Sequence, residues 1–105
     1  MTNVMFFNDA SHWKIGISGH ACYDNTGHDI VCAGVSLLAT MIAQCLIDEE
    51  IRGTSKMELG EAYFEFDTKN KSWVDSKMMM IFTGFQLIAN QYPQNVVMTS
   101  FFSEA

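Results

Sequence analysis

Residues 29–48 constrain the fold more than any other part of this chain. Asp29 is a residue type that caps helix starts. Behind it Ile30, Val31, Val35, Leu38, Met41, Ile42, Cys45 and Leu46 recur at helical spacing. They spread too widely around the helix for one narrow stripe, so the helix must be deeply packed against a broad surface. With 105 residues the chain has room for one core and not for two. No linker, repeat or low-complexity run divides it, and a single domain over residues 1–105 is expected.

Strands and one further helix supply the covering surface. Residues 4–8 and 12–18 read as strands, joined through the turn chemistry of Asp9-Ala10-Ser11. In the second, Trp13, Ile15 and Ile17 alternate with His12, Lys14 and Ser18, giving one buried and one wetter face. Residues 57–68 also read as strand, with Phe64 and Phe66 facing away from neighbouring acids, and the run is open to division in two. After a turn at Lys69-Asn70-Lys71, a second helix is expected from residue 75 or 76 to 91. It carries Met79, Phe82, Phe85, Ile88 and Ala89 at helical spacing, and Pro93 marks its exit. Residues 95–102 form a closing strand. The order ββαβαβ implies an α+β, two-layer fold: a mainly antiparallel β-sheet with two α-helices packed on one face. The acidic run Asp48-Glu49-Glu50 opposes the negative end of the first helix dipole, which predicts fraying there.

Chemistry concentrates in residues 18–36, which hold two His, two Cys and two Asp. Cys32 falls in the first helical turn, where unpaired amides and the positive end of the dipole favour an anion. The nucleophilic form of cysteine is such an anion, the thiolate. His20 ends the strand alternation on the accessible side, placed to act as general base and then general acid. Asp29 can cap the helix or hold an imidazolium. Ser36, one turn beyond Cys32, can bond the thiol or an oxyanion, or bond back to the Cys32 carbonyl. Amides at the helix start are the natural oxyanion hole. Gly19 and Gly27 permit backbone conformations that a side chain would obstruct, and the loop over residues 22–27 reads as a lid. Cys45 reads as an inert small hydrophobe. His20, Cys22, His28 and Cys32 are also zinc-type donors, but their mixed spacing fits no finger, so no metal is expected.

Gly19-His20-Ala21, Gly27, Asp29-Ile30-Val31-Cys32-Ala33 and Ser36 together resemble the ribosomal-processing cysteine protease family, Prp (YsxB-like), over the full length of the chain. The resemblance implies a small cytoplasmic endopeptidase. Its substrate would be the precursor of the twenty-seventh large-subunit ribosomal protein, which it relieves of a short N-terminal extension rich in apolar and aromatic residues. It also implies a catalytic pair His20 and Cys32, accompanied by Gly19, Asp29 and Ser36, and no cofactor. The rival readings are a non-enzymatic ribosome-assembly module that grips a basic protein, and a small zinc-binding protein.

Composition narrows the partners. A net charge of −6 with six Lys and Arg argues against nucleic-acid binding, which needs clustered cations, and is compatible with a basic protein. Three cysteines cannot all pair, and Cys32 and Cys45 face an apolar interior, so a disulfide scaffold is not expected and a reducing cytoplasm is. Residues 1–9 lack a signal pattern, and no apolar stretch is expected to reach the roughly 18–20 residues of a membrane span. Both helices, with Met78-Met79-Met80, carry more apolar surface than one sheet face covers, which predicts a homodimer.

Overall fold

The computed structural model describes residues 1–20 and 29–103. Cys22, Gly27, His28 and the expected lid lie outside the described residues. Seven elements follow in chain order: β1 (Thr2–Asp9), β2 (His12–Gly19), α1 (Ile30–Asp48), β3 (Gly53–Glu58), β4 (Glu61–Asp67), α2 (Trp73–Gln91) and β5 (Val96–Phe102). The sheet order is β3-β4-β2-β1-β5. Its pairings are antiparallel except β1 with β5, where Thr2 lies level with Val96 in parallel register.

Alternation along the strands sets the layers. Val4 and Phe6, Trp13, Ile15 and Ile17, and Ala62, Phe64 and Phe66 all turn to one face and are buried in one core with α1 and α2. Phe6 meets Phe82 and Phe85 edge-on, at ring-centroid distances of 5.2 and 5.7 Å. The opposite face is open. It carries Phe7 stacked on Phe101 and a polar chain in which Tyr63 Oη and His12 Nε2 lie 2.8 and 2.9 Å from the two Glu65 oxygens. The Tyr63 hydrogen bond, then His12, holds the Glu65 carboxyl below the usual carboxylate range.

The expected strand over residues 57–68 is a hairpin, β3 and β4 joined by the two-residue turn Leu59-Gly60. Its pairing starts earlier, at Gly53 opposite Phe66. The polar run Gly-Thr-Ser-Lys hides β3 from any alternation rule because β3 is an edge strand with all six residues exposed. α2 begins at Trp73, earlier than expected. Asp75, in its first turn, does not cap the helix but accepts from Trp13 Nε1 at 2.8 Å and lies 2.6 Å from the Thr68 hydroxyl.

The expected frayed end of α1 is instead closed. Glu50 takes φ 54°, and its amide and that of Ile51 return to the carbonyls of Ile47 and Leu46, at 3.1 and 2.9 Å. This is a Schellman closure with glutamate in the position glycine usually holds. The Glu49 carboxylate accepts from Trp73 Nε1 and Lys77 Nζ, and Lys71 Nζ reaches the Glu49 carbonyl. Lys77 of α2 and Lys71 just before it thus stand where the α1 dipole is negative.

The expectation about apolar length also needs correction. α1 has 19 residues and contains an 18-residue stretch with a mean hydropathy of 2.2, so by length and composition it is long and apolar enough to cross a membrane. Gly34, Ser36, Thr40 and Gln44 interrupt the run, but no charge does before Asp48. Val31, Val35, Ala39, Ile42 and Leu46 are buried along one face, whereas Ile30, Leu37, Met41 and Ile47 are 43–68% exposed, so α1 packs on the sheet by a single stripe and is not the deeply packed helix expected.

Candidate active site

The geometry starts at Asp29. Its backbone is extended, and its Oδ1 accepts the Cys32 amide at 2.8 Å, while its carbonyl accepts the Ala33 amide at 3.0 Å. Asp29 is therefore the N-cap of α1, and Cys32 stands at the third helical position with its side chain partly buried. The amides of Cys32 and Ala33 are occupied, so an oxyanion hole built from Cys32's own N–H requires Asp29 to release it.

His20 follows the last residue of β2 and is exposed. Gly19 precedes it at φ 90°, where a Cβ would stand 2.2 Å from the Met1 carbonyl oxygen, and its amide donates to the Gly60 carbonyl at 2.9 Å. Only glycine fits that combination of conformation and contact. The imidazole then lies against the β3–β4 turn, since a Cβ built on Gly60 would fall 3.0 Å from His20 Nε2.

These elements meet in a cleft of about 130 Å³ between the start of α1, the end of β2 and the β3–β4 turn. His20, Cys32, Ser36 and Gly19 all line it, on an apolar floor of Ile17, Val35, Ala39 and Ala62. Larger hollows on the open sheet face, about 290 Å³, and between the helices, about 370 Å³, contain no histidine. Cys45 sits in the second of these, half-buried, and burial pushes its thiol up. Of the four zinc-type donors, Cys22 and His28 lie outside the described residues. Among the described residues no three His, Cys, Asp or Glu side chains form a metal-holding group. Sequence reasoning missed Met57, Leu59 and Gly60, which also line the cleft. The Leu-Gly pair was the one available signal, a turn glycine inside a strand pattern.

A nucleophile type, an imidazole and a short apolar cleft on one edge of an α+β layer suit hydrolysis of an extended peptide. The model of the family described as "Cysteine protease Prp" matches residues 1–97. The chain belongs to the Prp family. It is therefore a cysteine protease, and the reading as a non-enzymatic module is set aside. The fold is likewise that of Prp structures. The essential ribosomal processing protease Prp from S. aureus, in complex with a covalently linked product peptide, superposes with a TM-score of 0.84 at 20% identity, covering 96% of this chain and 100% of that one. In complex with a substrate peptide the same S. aureus protease gives 0.78 at 19%, covering 96% and 100%. SMU.848 from Streptococcus mutans gives 0.76 at 21%, covering 98% and 96%. No curated protein matches the chain.

Proposed function

We propose that this protease trims a ribosomal protein precursor, that of the twenty-seventh large-subunit protein, by removing its short N-terminal extension. Cys32 acts as nucleophile and His20 as its base. The observation that carries this is the shared cleft of His20 and Cys32, together with the ribosomal processing named for the S. aureus protease of the same fold. His20 takes the proton from Cys32 Sγ, and the thiolate adds to the carbonyl carbon of the scissile bond. The C–N bond breaks as the imidazolium returns the proton to the leaving amine. Water, deprotonated by His20, then cleaves the thioester and restores the thiol. Asp29 fixes the helix start that presents Cys32. Gly19 fixes the approach of His20. Ser36, exposed one turn beyond Cys32, is in reach of the same cleft as a hydrogen-bond donor.

The reading places the enzyme in the cytoplasm, where ribosomes assemble, as one domain with no cofactor and no nucleic-acid contact of its own. Its acidic charge suits a basic substrate. It also places two copies together through the outer faces of the helices, where Leu37, Met41, Met80 and Leu87 are 43–71% exposed. The deciding experiment is incubation with the extended precursor followed by intact-mass analysis. Wild-type protein and Cys45→Ala are expected to trim it and Cys32→Ala to leave it whole, with unchanged circular dichroism. Trimming by Cys32→Ala would overturn the nucleophile assignment.

A further inference from the structure

We propose that the β3–β4 turn forms an apolar substrate subsite beside the catalytic pair, with Leu59 as its specificity-determining residue. The proposal rests on the reading of His20 and Cys32 given above. It is argued from the exposure, neighbours and charge of the turn.

Leu59 is 96% exposed at the tip of the hairpin. A lone exposed leucine is ordinary on a protein surface, but this one is not alone. Met57, 48% exposed, pairs with buried Ala62 and so turns to the same side of the sheet as the core and the cleft. Leu59 and Met57 both line the cleft and extend its apolar floor outward. Hairpin geometry does not require an apolar residue at this place. The turn needs its glycine, Gly60 at φ 79°, whereas the position before it accepts most residue types. Leucine there leaves apolar surface in water until something covers it.

The turn is also coupled to the chemistry. Gly60 lies against the His20 ring, and its carbonyl holds the Gly19 amide, so a side chain settled over Leu59 lies beside the imidazole. About 130 Å³ is close to the roughly 150 Å³ of an engineered cavity that takes up benzene. There is room for one phenyl ring or one branched aliphatic side chain. Glu58 and Glu61 bracket the turn and share a single cation, Lys56, at 3.9 and 3.6 Å. An acidic side chain is therefore unwelcome. The ligand class is a peptide with an apolar, uncharged side chain flanking the scissile bond.

The test measures binding, so it does not depend on turnover. The probes are peptides spanning the extension junction of the precursor, with each residue flanking the scissile bond replaced in turn by Phe, Leu, Ala or Asp. Their affinities are measured by calorimetry on Cys32→Ala protein, with and without Leu59→Ser. Phe and Leu peptides are expected to lose about tenfold or more in affinity on Leu59→Ser, the size of effect that burying a leucine supplies. Ala peptides should barely change, and Asp peptides should bind worst throughout. Leu59→Met is expected to keep the preference, and Ile47→Ser, also an exposed apolar residue (68%) but not in the cleft lining, to leave every affinity alone. Equal affinities with and without Leu59→Ser would overturn the subsite while leaving the nucleophile assignment standing. Precursor trimming by Cys32→Ala would overturn that assignment while the subsite is still judged on binding.

Discussion

Two thiols on one helix face different surroundings. Cys45 is partly covered between Met41, Lys77 and Ile81, and burial raises its thiol. Cys32 opens on a cleft it shares with an imidazole. Alkylation by iodoacetamide near neutral pH, read by peptide mass mapping, is expected to modify Cys32 at least about tenfold faster than Cys45, because the thiolate is the reacting form. Equal rates would count against Cys32 as the nucleophile. The cap Asp29, the positions of Cys32 in the first turn of α1 and of His20 at the end of β2, and the backbone role of Gly19 were legible in the sequence because each follows from local rules: helix start, strand parity, residue type. Leu59 and Gly60 were not. Their importance comes from a hairpin folding back onto His20, a contact between segments about forty residues apart that no local pattern encodes.

At the scale of elements, the first turn of α2 is tied to the sheet by one carboxylate. Asp75 accepts from Trp13 Nε1, on a side chain 1% exposed, and lies within bonding distance of Thr68, also 1% exposed. Asp75→Ala leaves both donors without that acceptor and is expected to cost about 2–3 kcal/mol in urea unfolding, with Asp75→Asn milder. A second tie joins α1 to α2 through Glu49. The Trp73 hydrogen bond and then Lys77 hold its carboxyl below the ordinary 4.5. A carboxylate lowered by folding stabilises at pH above its unfolded value and loses that contribution as pH falls through the folded one. Wild type is therefore expected to melt above Glu49→Gln near neutral pH, with the gap closing as pH falls below the ordinary 4.5 and through the lowered folded value. A gap unchanged across that range would mean the charge is irrelevant. The two helices, β1, β2, β4 and β5 were legible from apolar periodicity. β3 was not, because an exposed edge strand has no buried face to impose alternation, and the closed end of α1 was not, because its cations, Lys71 and Lys77, come from a segment more than twenty residues further along the chain.

For the whole molecule, both described helices pack on one face of the sheet, and their outer surface exposes Leu37, Met41, Met80 and Leu87. Met80 is 71% exposed and shares a groove with Met41. If two copies cover this surface, Met80→Lys is expected to halve the mass measured by light scattering while leaving precursor trimming by the remaining monomer measurable. A wild-type monomer at all concentrations would remove the homodimer. The parallel pairing of β1 with β5 bears on a different property, the timing of maturation. The cleft is drawn from residues 2–62, so a growing chain has delivered all its lining residues well before residues 96–102 exist. Thr2, on the cleft wall, acquires the Asn95 carbonyl as partner for its amide only then, and β1 has a bare edge until β5 arrives. Long-range closure of this kind is slow relative to local hairpins and helices. β1, which carries Thr2 on the cleft wall, thus gains its second neighbour only after every described residue lining the cleft has been synthesised.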